Sequence, residues 1–266
     1  MQTTTTSRPV AVITGAASGL GLDLARQLAP HYDLILIDVQ ADALKQAAAS
    51  LGGQRYFVCD LSEPTDITTL TQTLCGEPTR ISVLINNAGI THRSLADKTQ
   101  TQIIQKVMQI NYLAPVQLTQ ELLPVLTDQA CIVNISSMAG WMPVLGRAGY
   151  CASKSALHQY FETLRAEWHG NGKHILMVYP SFLATPIEQN ALNGQGGRAT
   201  HARSMVGALR SSEAMARQIV TAMARRQQRL LPDTFTRFSS LLYRLMPRVY
   251  LHLMRKRLAS ELEQDA

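Results

Sequence analysis

Short apolar runs alternate with longer amphipathic stretches along most of this chain. The apolar runs lie at residues 10–14, 34–38, 56–59, 83–86, 131–136, 175–179 and 229–232. Most of them lack polar alternation, a pattern that is typical of strands buried on both faces of a parallel sheet. Helical patterns lie between them, for example at residues 21–29, 41–49, 103–126 and 213–225. The alternation predicts an α/β fold with a doubly wound parallel sheet of about seven strands and helices on both faces.

The apolar pattern changes beyond residue 232. Apolar residues then recur at helical spacing: Phe235, Phe238, Leu241, Leu242, Leu245, Met246, Val249 and Leu253. Pro247 predicts a break into two helices, because proline lacks an amide hydrogen and clashes with the preceding turn. We therefore divide the chain into a sheet domain, residues 8–232, and a basic amphipathic helical extension, residues 233–266.

One interruption within the sheet domain is rich in glycine. Residues 194–197 read Gly-Gln-Gly-Gly, and we expect residues 186–210 to form a mobile excursion before the helix at 213–225. This excursion is either an ordinary surface loop or a lid over the substrate, and the sequence favours neither.

The composition is that of a folded protein, and the charge is unevenly distributed along the chain. Apolar residues make up 46% of the 266 residues and charged residues 17%, which fits a packed core rather than a disordered chain. The net charge is +6, yet residues 225–257 hold nine Lys/Arg and one acid. No nucleic-acid motif accompanies this segment, and we expect no nucleic-acid partner. Three roles stay open for the extension: packing on the body or closing the substrate cleft, building a subunit interface, or lying on an anionic membrane surface.

The cysteines and the N-terminus bear on the compartment. Cys59, Cys75, Cys131 and Cys151 form no Cys-x-x-Cys pair, and no histidine cluster lies near them. We therefore expect a reducing compartment, with neither a disulfide framework nor a metal site. Residues 1–9 lack the apolar run of a signal peptide, and no uncharged apolar stretch reaches about 18 residues. These features predict a cytoplasmic protein, with peripheral contact to a membrane surface as the alternative.

The first predicted strand leads directly into a glycine-rich turn, Thr14-Gly15-Ala16-Ala17-Ser18-Gly19-Leu20-Gly21. Glycines permit a tight turn and the close approach of a pyrophosphate, while the next helix directs its N-terminal amides at the phosphates. The turn predicts a Rossmann-type dinucleotide site. We expect cofactor contacts from Gly15, Ser18, Gly19, Leu20 and Gly21.

Asp38 ends the second predicted strand, 17 residues beyond Gly21. A carboxylate there accepts hydrogen bonds from an adenosine ribose and repels a 2′-phosphate. Neither Val39 nor Gln40 supplies a compensating cation, so we expect NAD(H) rather than NADP(H). The alternative is an aspartate that only caps the following helix.

Further motifs follow in a fixed order. They are Asp60 after the third strand, Asn86-Asn87-Ala88-Gly89, Asn111 in a helical stretch, Ser137, Tyr150-Cys151-Ala152-Ser153-Lys154, and then Pro180 and Thr185. Together with the glycine-rich turn, this set resembles the short-chain dehydrogenase/reductase family over about residues 8–232. The resemblance implies an oxidoreductase that assembles as a homodimer or homotetramer.

The resemblance also assigns roles to these residues. It implies cofactor contacts from Asp60, Leu61, Asn87, Ala88, Gly89, Tyr150, Lys154, Pro180, Leu183 and Thr185. It implies that Asn111 positions a water that relays protons to Lys154. One residue departs from the family pattern, because Ser181 stands where a glycine usually follows the proline. We expect this serine to narrow or re-shape the loop on the nicotinamide side.

The Tyr150–Lys154 spacing makes chemical sense without the family. The two residues are four positions apart, so they share one face of a helix. A neighbouring ammonium, together with the charge of oxidised nicotinamide, favours the phenolate. Tyr150 then accepts the proton of an alcohol, or donates it to a ketone in reverse. Ser137 closes the fifth predicted strand and hydrogen-bonds the substrate oxygen. The alternative is an exposed pair on an amphipathic helix.

The residues around these groups bear on the substrate. Apolar side chains are frequent there: Met138, Trp141, Met142, Val144, Leu145, Phe182, Leu183 and Ile187. They predict a hydrophobic secondary alcohol or ketone, steroid-like or lipid-like, with Trp141 and Phe182 beside it, unless they pack the core. Two other functions stay open: a 3-oxoacyl thioester reductase that uses NADPH, and a non-catalytic dinucleotide-binding protein.

Overall fold

Seven parallel strands form one sheet in the order β3-β2-β1-β4-β5-β6-β7. The computed structural model describes residues 8–180, 182–200, 210–232 and 234–259. The strands are β1 Val10–Thr14, β2 Asp33–Asp38, β3 Arg55–Val58, β4 Ile81–Asn86, β5 Leu126–Ile135, β6 His174–Val178 and β7 Arg229–Leu230. Each strand overlaps the apolar run that predicted it, and the predicted Rossmann-type sheet is confirmed.

Helices cover both faces of the sheet, as predicted. They are α1 Gly19–Leu28, α2 Ala41–Ser50, α3 Pro64–Cys75, α4 Thr101–Met108, α5 Ala114–Glu121, α6 Ala148–Glu167, α7 Ser212–Ala224, α8 Thr234–Leu245 and α9 Pro247–Arg257. Successive side chains of a strand point to opposite faces, so two buried clusters form. One packs α1, α2 and α7 on side chains such as Ile13 and Val133. The other packs α3, α5 and α6 on side chains such as Val12 and Ile132.

The stretch predicted to be helical at residues 103–126 is helical from residue 101 to residue 121, but the type of turn changes within it. A π-helical turn, Gln109–Leu113, separates α4 from α5. Pro115 lies in the first turn of α5 and has no amide hydrogen to bond the carbonyl of Asn111, which accounts for the wider turn. A short 3₁₀ turn, Leu123–Val125, follows α5, and the chain enters β5 directly at Leu126.

The strand order fixes where ligands can bind. The chain runs outward from β1 to β2 and β3, then returns to place β4 on the other side of β1. The two connections leave a crevice at the carboxyl ends of β1 and β4, the place where open α/β sheets bind their ligands.

The extension forms two helices, as predicted from Pro247, which begins α9. The Tyr250 hydroxyl donates a hydrogen bond of 3.0 Å to the carbonyl of Pro143, so α9 is joined to the segment between β5 and α6. None of the helices in the described part of the chain is both long and apolar enough to span a bilayer.

Candidate active site

A cavity of about 810 Å³ lies at the carboxyl ends of the strands. Most of the residues predicted for the site line it: Gly15, Ser18, Gly19, Leu20, Asp38, Asp60, Leu61, Asn87, Ala88, Gly89, Ser137, Tyr150, Lys154, Pro180, Phe182, Leu183 and Thr185. The fold therefore brings together segments that are as much as 170 residues apart (15 to 185).

Three predicted residues are not among the described residues that line this cavity: Gly21, Asn111 and Trp141. Gly21 lies beneath the glycine-rich turn, where an added Cβ would be 2.0 Å from the carbonyl oxygen of Gly15. The Trp141 ring packs on Tyr179, with 4.2 Å between the ring centroids, and the substrate contact of Trp141 stays a prediction. Ser181 lies outside the described residues.

The glycine-rich turn is shaped for a close-lying ligand. Gly15 and Gly19 have φ angles of +66° and +52°, which glycine adopts without strain. The Asn87 Nδ2 donates to the carbonyls of Thr14, at 2.9 Å, and Gly15, at 3.2 Å, and so braces the turn from below. Within the described part of the chain, the side chain of the N-cap residue Ser18 makes no capping bond. The first amides of α1 are thereby left for a phosphate, and these residues fit a dinucleotide.

Asp38 borders the same turn from the end of β2. Its carboxylate accepts hydrogen bonds from the amides of Ala17, at 3.0 Å, and Gln40, at 3.1 Å. Gln40 is the N-cap residue of α2, so Asp38 lies outside the capping position. The carboxylate is instead fixed against the glycine-rich turn and borders the cavity.

Three polar groups meet where β5 ends and α6 begins. Lys154 is 4% exposed, and its Nζ donates a hydrogen bond of 2.8 Å to the carbonyl of Ile135. The same Nζ lies 5.8 Å from the centroid of the Tyr150 ring, one helical turn earlier. Ser137 follows β5, lines the same cavity as Tyr150, and is close enough that its side chain lowers the pKa of the phenol. The arrangement places a phenol, a hydroxyl and an amine at one point of the cavity wall.

Burial dominates the ionisation of this group. Burial raises the pKa of Tyr150, while the hydrogen bond with Ser137 lowers it to a smaller extent. Burial also lowers the pKa of Lys154 to about 8. The sequence predicted that the ammonium would favour the phenolate, but in the protein alone desolvation has the larger effect. Tyr150 therefore keeps its proton at neutral pH and is prepared to donate it.

Asn111 is tied to the backbone beside this group. Its Nδ2 donates to the carbonyl of Ile90 and to Ser153 Oγ, and its Oδ1 accepts the amide of Ile90. An added Cβ at Gly89 would lie 3.1 Å from Asn111 Oδ1 and 3.6 Å from Lys154 Nζ. Both polar groups thus border Gly89, so Asn111 is near the Lys154 amine, although it is not among the described residues that line the cavity.

His92, a lone histidine in a loop, has a structural role beside the site that its place in the sequence does not indicate. His92 is fully buried, and its Nε2 accepts the amide of Gly149 at 2.9 Å. Gly149 is the second residue of α6, so His92 caps α6 from a neighbouring loop, one residue before Tyr150. Since Nε2 accepts, Nδ1 carries the proton and donates to Ser94 Oγ at 3.1 Å. Burial, with a smaller contribution from Arg147, lowers the pKa of His92 to about 4.

An ion pair closes one side of the cavity. Arg147 and Glu188 form two hydrogen bonds of 2.9 and 2.7 Å, and Arg147 also donates to Thr91 Oγ1 at 3.2 Å. The pair joins the start of α6 to the loop after β6. Because the two charges compensate each other, this wall adds little net charge to the cavity.

The helical extension forms a further wall of the cavity. The sequence did not predict which residues of the extension line it. Eight of its residues line the cavity: Phe238, Ser239, Leu242, Tyr250, Leu253, Met254, Arg257 and Leu258. Of the roles considered for the extension, packing on the body of the protein at the cleft is therefore the one that the structure shows.

Proteins of a known family are similar to this chain in sequence. A family model described as "short chain dehydrogenase" matches residues 9–196. Dehydrogenase/reductase SDR family member 7B of Rattus norvegicus is 31% identical, with 95% of this chain and 82% of the relative covered. Dehydrogenase/reductase SDR family protein 7-like of Drosophila melanogaster is 29% identical, with 93% and 80% covered. The chain belongs to the short-chain dehydrogenase/reductase family.

Solved structures agree in fold. A short-chain dehydrogenase from Sphingobium yanoikuyae in complex with NADPH is 25% identical, with a TM-score of 0.75 over 88% of this chain and 92% of that one. A short chain dehydrogenase/reductase from Burkholderia phymatum in complex with NAD is 22% identical, with a TM-score of 0.77 over 91% and 95%. The protein is thus a member of a nucleotide-binding oxidoreductase family.

Gly21→Ala should disrupt the dinucleotide site. The added methyl group would overlap the Gly15 carbonyl, so the turn must move away from its present path. We expect dinucleotide affinity to fall by at least about tenfold and the free energy of unfolding by about 1–3 kcal/mol. Titration calorimetry and urea unfolding measure the two effects. Gly76→Ala, at the end of α3 with an ordinary φ of −75°, is the control. Unchanged affinity in Gly21→Ala would contradict the proposed packing.

His92 should make stability depend on pH. Its pKa is about 4 in the folded protein and 6.5 without the fold, so unfolding near pH 5 takes up about one proton there. The neutral ring stabilises the fold fully above pH 6.5, and this contribution is lost as the pH falls towards 4. In His92→Gln, urea unfolding should show a shallower loss of stability across this range. His252→Gln, on exposed α9, should keep the wild-type slope, and equal slopes in all three proteins would refute the assignment.

Proposed function

We propose that this protein is an NAD(H)-dependent oxidoreductase that interconverts a hydrophobic secondary alcohol and the corresponding ketone. The observation that carries the proposal is that Tyr150, the buried Lys154 one helical turn later, and Ser137 all line the same cavity as the dinucleotide cradle. The dinucleotide, when bound, supplies or accepts the hydride. The chain's own groups handle the proton.

Tyr150 is the proton donor in the reductive direction. Its raised pKa keeps the phenol protonated, and Ser137 lines the cavity with it. As negative charge develops on the carbonyl oxygen, both hydroxyls can donate hydrogen bonds to it. Lys154 restores the proton of Tyr150, and Asn111, which borders Gly89 beside Lys154, positions the relay. In the oxidative direction the same groups act in reverse order.

Asp38 makes NAD(H) the preferred cofactor. Its carboxylate is fixed beside the glycine-rich turn, where it repels a 2′-phosphate. The neighbouring residues Val39 and Gln40 line the cavity and bring no cation. This preference also disfavours the alternative of a 3-oxoacyl thioester reductase that uses NADPH.

The cavity favours an apolar, uncharged substrate. Met142, Leu145 and Phe182 lie beside the catalytic group, and α8 and α9 add Leu242 and Met254. The Arg147–Glu188 pair neutralises the most polar part of the wall. A steroid-like or lipid-like ketone fits this lining, because its apolar surface leaves water for an apolar wall.

Tyr150→Phe tests the proposed proton donor. The variant removes only the hydroxyl, so we expect unchanged dinucleotide affinity and a turnover reduced by about 10²-fold or more. A panel of ketones first identifies the one that the wild type reduces fastest. Nicotinamide absorbance then measures turnover with that ketone. Tyr160→Phe, on the same helix, is the matched control and should keep wild-type activity. Full turnover in Tyr150→Phe would remove Tyr150 from the mechanism.

The cofactor preference rests on one carboxylate. Wild-type protein should reduce ketones with a higher kcat/KM for NADH than for NADPH, and Asp38→Asn should lower this ratio by at least about tenfold. Asp42→Asn removes the same charge from the exposed first turn of α2 and should leave the ratio unchanged. A wild-type preference for NADPH would refute the cofactor assignment but would leave the proposed role of Tyr150 unaffected.

A further inference from the structure

The two helices of the extension have an inner and an outer side. The inner side closes the cavity: Leu242 and Met254 line it, and Leu258 is only 7% exposed. Tyr250 fastens this side through its hydrogen bond to the carbonyl of Pro143. The outer side is exposed and carries different side chains from the inner side.

Large apolar side chains are concentrated on the outer side. Seven of the twelve exposed large apolar side chains of the described residues lie between residues 238 and 253. We call six of them the apolar face: Phe238, Leu241, Leu245, Met246, Val249 and Leu253. Leu245 is 68% exposed and Phe238 is 65% exposed. Such a cluster on one small surface indicates an interaction site.

Positive charge surrounds the apolar face. Arg237, Arg244, Arg248, Arg255, Lys256 and Arg257 are exposed on the same two helices. Residues 234–259 contain no Asp or Glu, and no carboxylate of the described residues forms an ion pair with these cations. The partner of this surface must therefore offer both an apolar phase and negative charge.

The cavity opens at the apolar face. Phe238 and Leu253 line the cavity and are also exposed, so they form its rim on this side. Phe238 and Leu253 thus belong both to the apolar face and to the lining of the cavity that holds Tyr150. These two side chains give a hydrophobic molecule at the apolar face an apolar contact at the edge of the cavity.

We propose that α8 and α9 bind an anionic lipid surface, with the apolar face in the interfacial layer, and that the substrate enters the cavity from that layer. An anionic bilayer supplies both the negative charge and the apolar phase. A second copy of the chain fits less well, because a two-fold contact would bring the six cations against six like charges. The entry of substrate rests on the proposed function, whereas the lipid binding does not.

Vesicle co-sedimentation of the full chain tests the binding. We expect the wild type to pellet with vesicles of phosphatidylcholine mixed with phosphatidylserine, weakly with phosphatidylcholine alone, and less at about 0.5 M NaCl. Arg244→Glu/Arg248→Glu should reduce binding by at least about tenfold. Lys45→Glu/Arg225→Glu makes the same change in net charge on α2 and after α7, and should bind like the wild type.

A second set of variants tests the contribution of the apolar side chains to vesicle binding. Leu241→Gln/Leu245→Gln keeps the charge and should lose most of the binding, because these exposed side chains are not among the described residues that line the cavity and are proposed to enter the lipid. Leu123→Gln, in the sheet domain, is its control. The fluorescence of Leu245→Trp should be quenched by brominated acyl chains, and that of Leu123→Trp should not.

Several results would overturn the proposal. They are no pelleting of the wild type, equal pelleting of the wild type and the Arg244/Arg248 variant, or no quenching of Leu245→Trp. A smaller particle mass in Leu241→Gln/Leu245→Gln, without any vesicle binding, would assign the face to a second copy instead. Vesicle binding combined with full turnover of Tyr150→Phe would retain the docking surface and refute the proposed chemistry, so the two failures are distinguishable.

Discussion

The hydrogen bond from Lys154 Nζ to the carbonyl of Ile135 is the contact on which the site depends. A buried amine is costly unless it is hydrogen-bonded, so α6 must pack tightly against the end of β5. Gly140 permits this approach, since an added Cβ would lie 2.8 Å from the Lys154 carbonyl. Ser155 strengthens the same junction through a hydrogen bond of 2.9 Å to Gly140. Only with α6 held at this distance do Tyr150 and Ser137 meet.

The same burial sets the ionisation of the site. Desolvation lowers the pKa of Lys154 and raises that of Tyr150, so both groups tend towards their uncharged forms. His92 is neutral for the same reason and can accept the Gly149 amide only in that form. The first turns of α6 are thus positioned by His92 before Tyr150 and by Lys154 after it, and burial favours the uncharged form of both groups. In the proposed mechanism, proton transfer starts from a phenol that still holds its proton.

Much of this architecture could be predicted from the sequence, because periodicity and local motifs are properties of neighbouring residues. The parallel sheet, the turn at Gly15 and the shared helix face of Tyr150 and Lys154 all follow from spacing. Contacts between distant segments could not be predicted. Trp141 is close to Ser137 in sequence, but its ring packs on Tyr179 instead. His92 is 57 residues from the amide that it caps, and no local pattern marks such a pairing.

The two halves of the substrate chamber are encoded in separate stretches of chain. Ser137 lies just after β5, and Tyr150 and Lys154 lie on α6, while part of the wall comes from α8 and α9. Substitutions at positions such as Leu242 or Met254 can therefore re-shape the chamber without moving Lys154 or Ser137. Selectivity can thus drift during evolution while the reaction itself is conserved, and an exchange of the two terminal helices between homologues offers a direct route to new specificities.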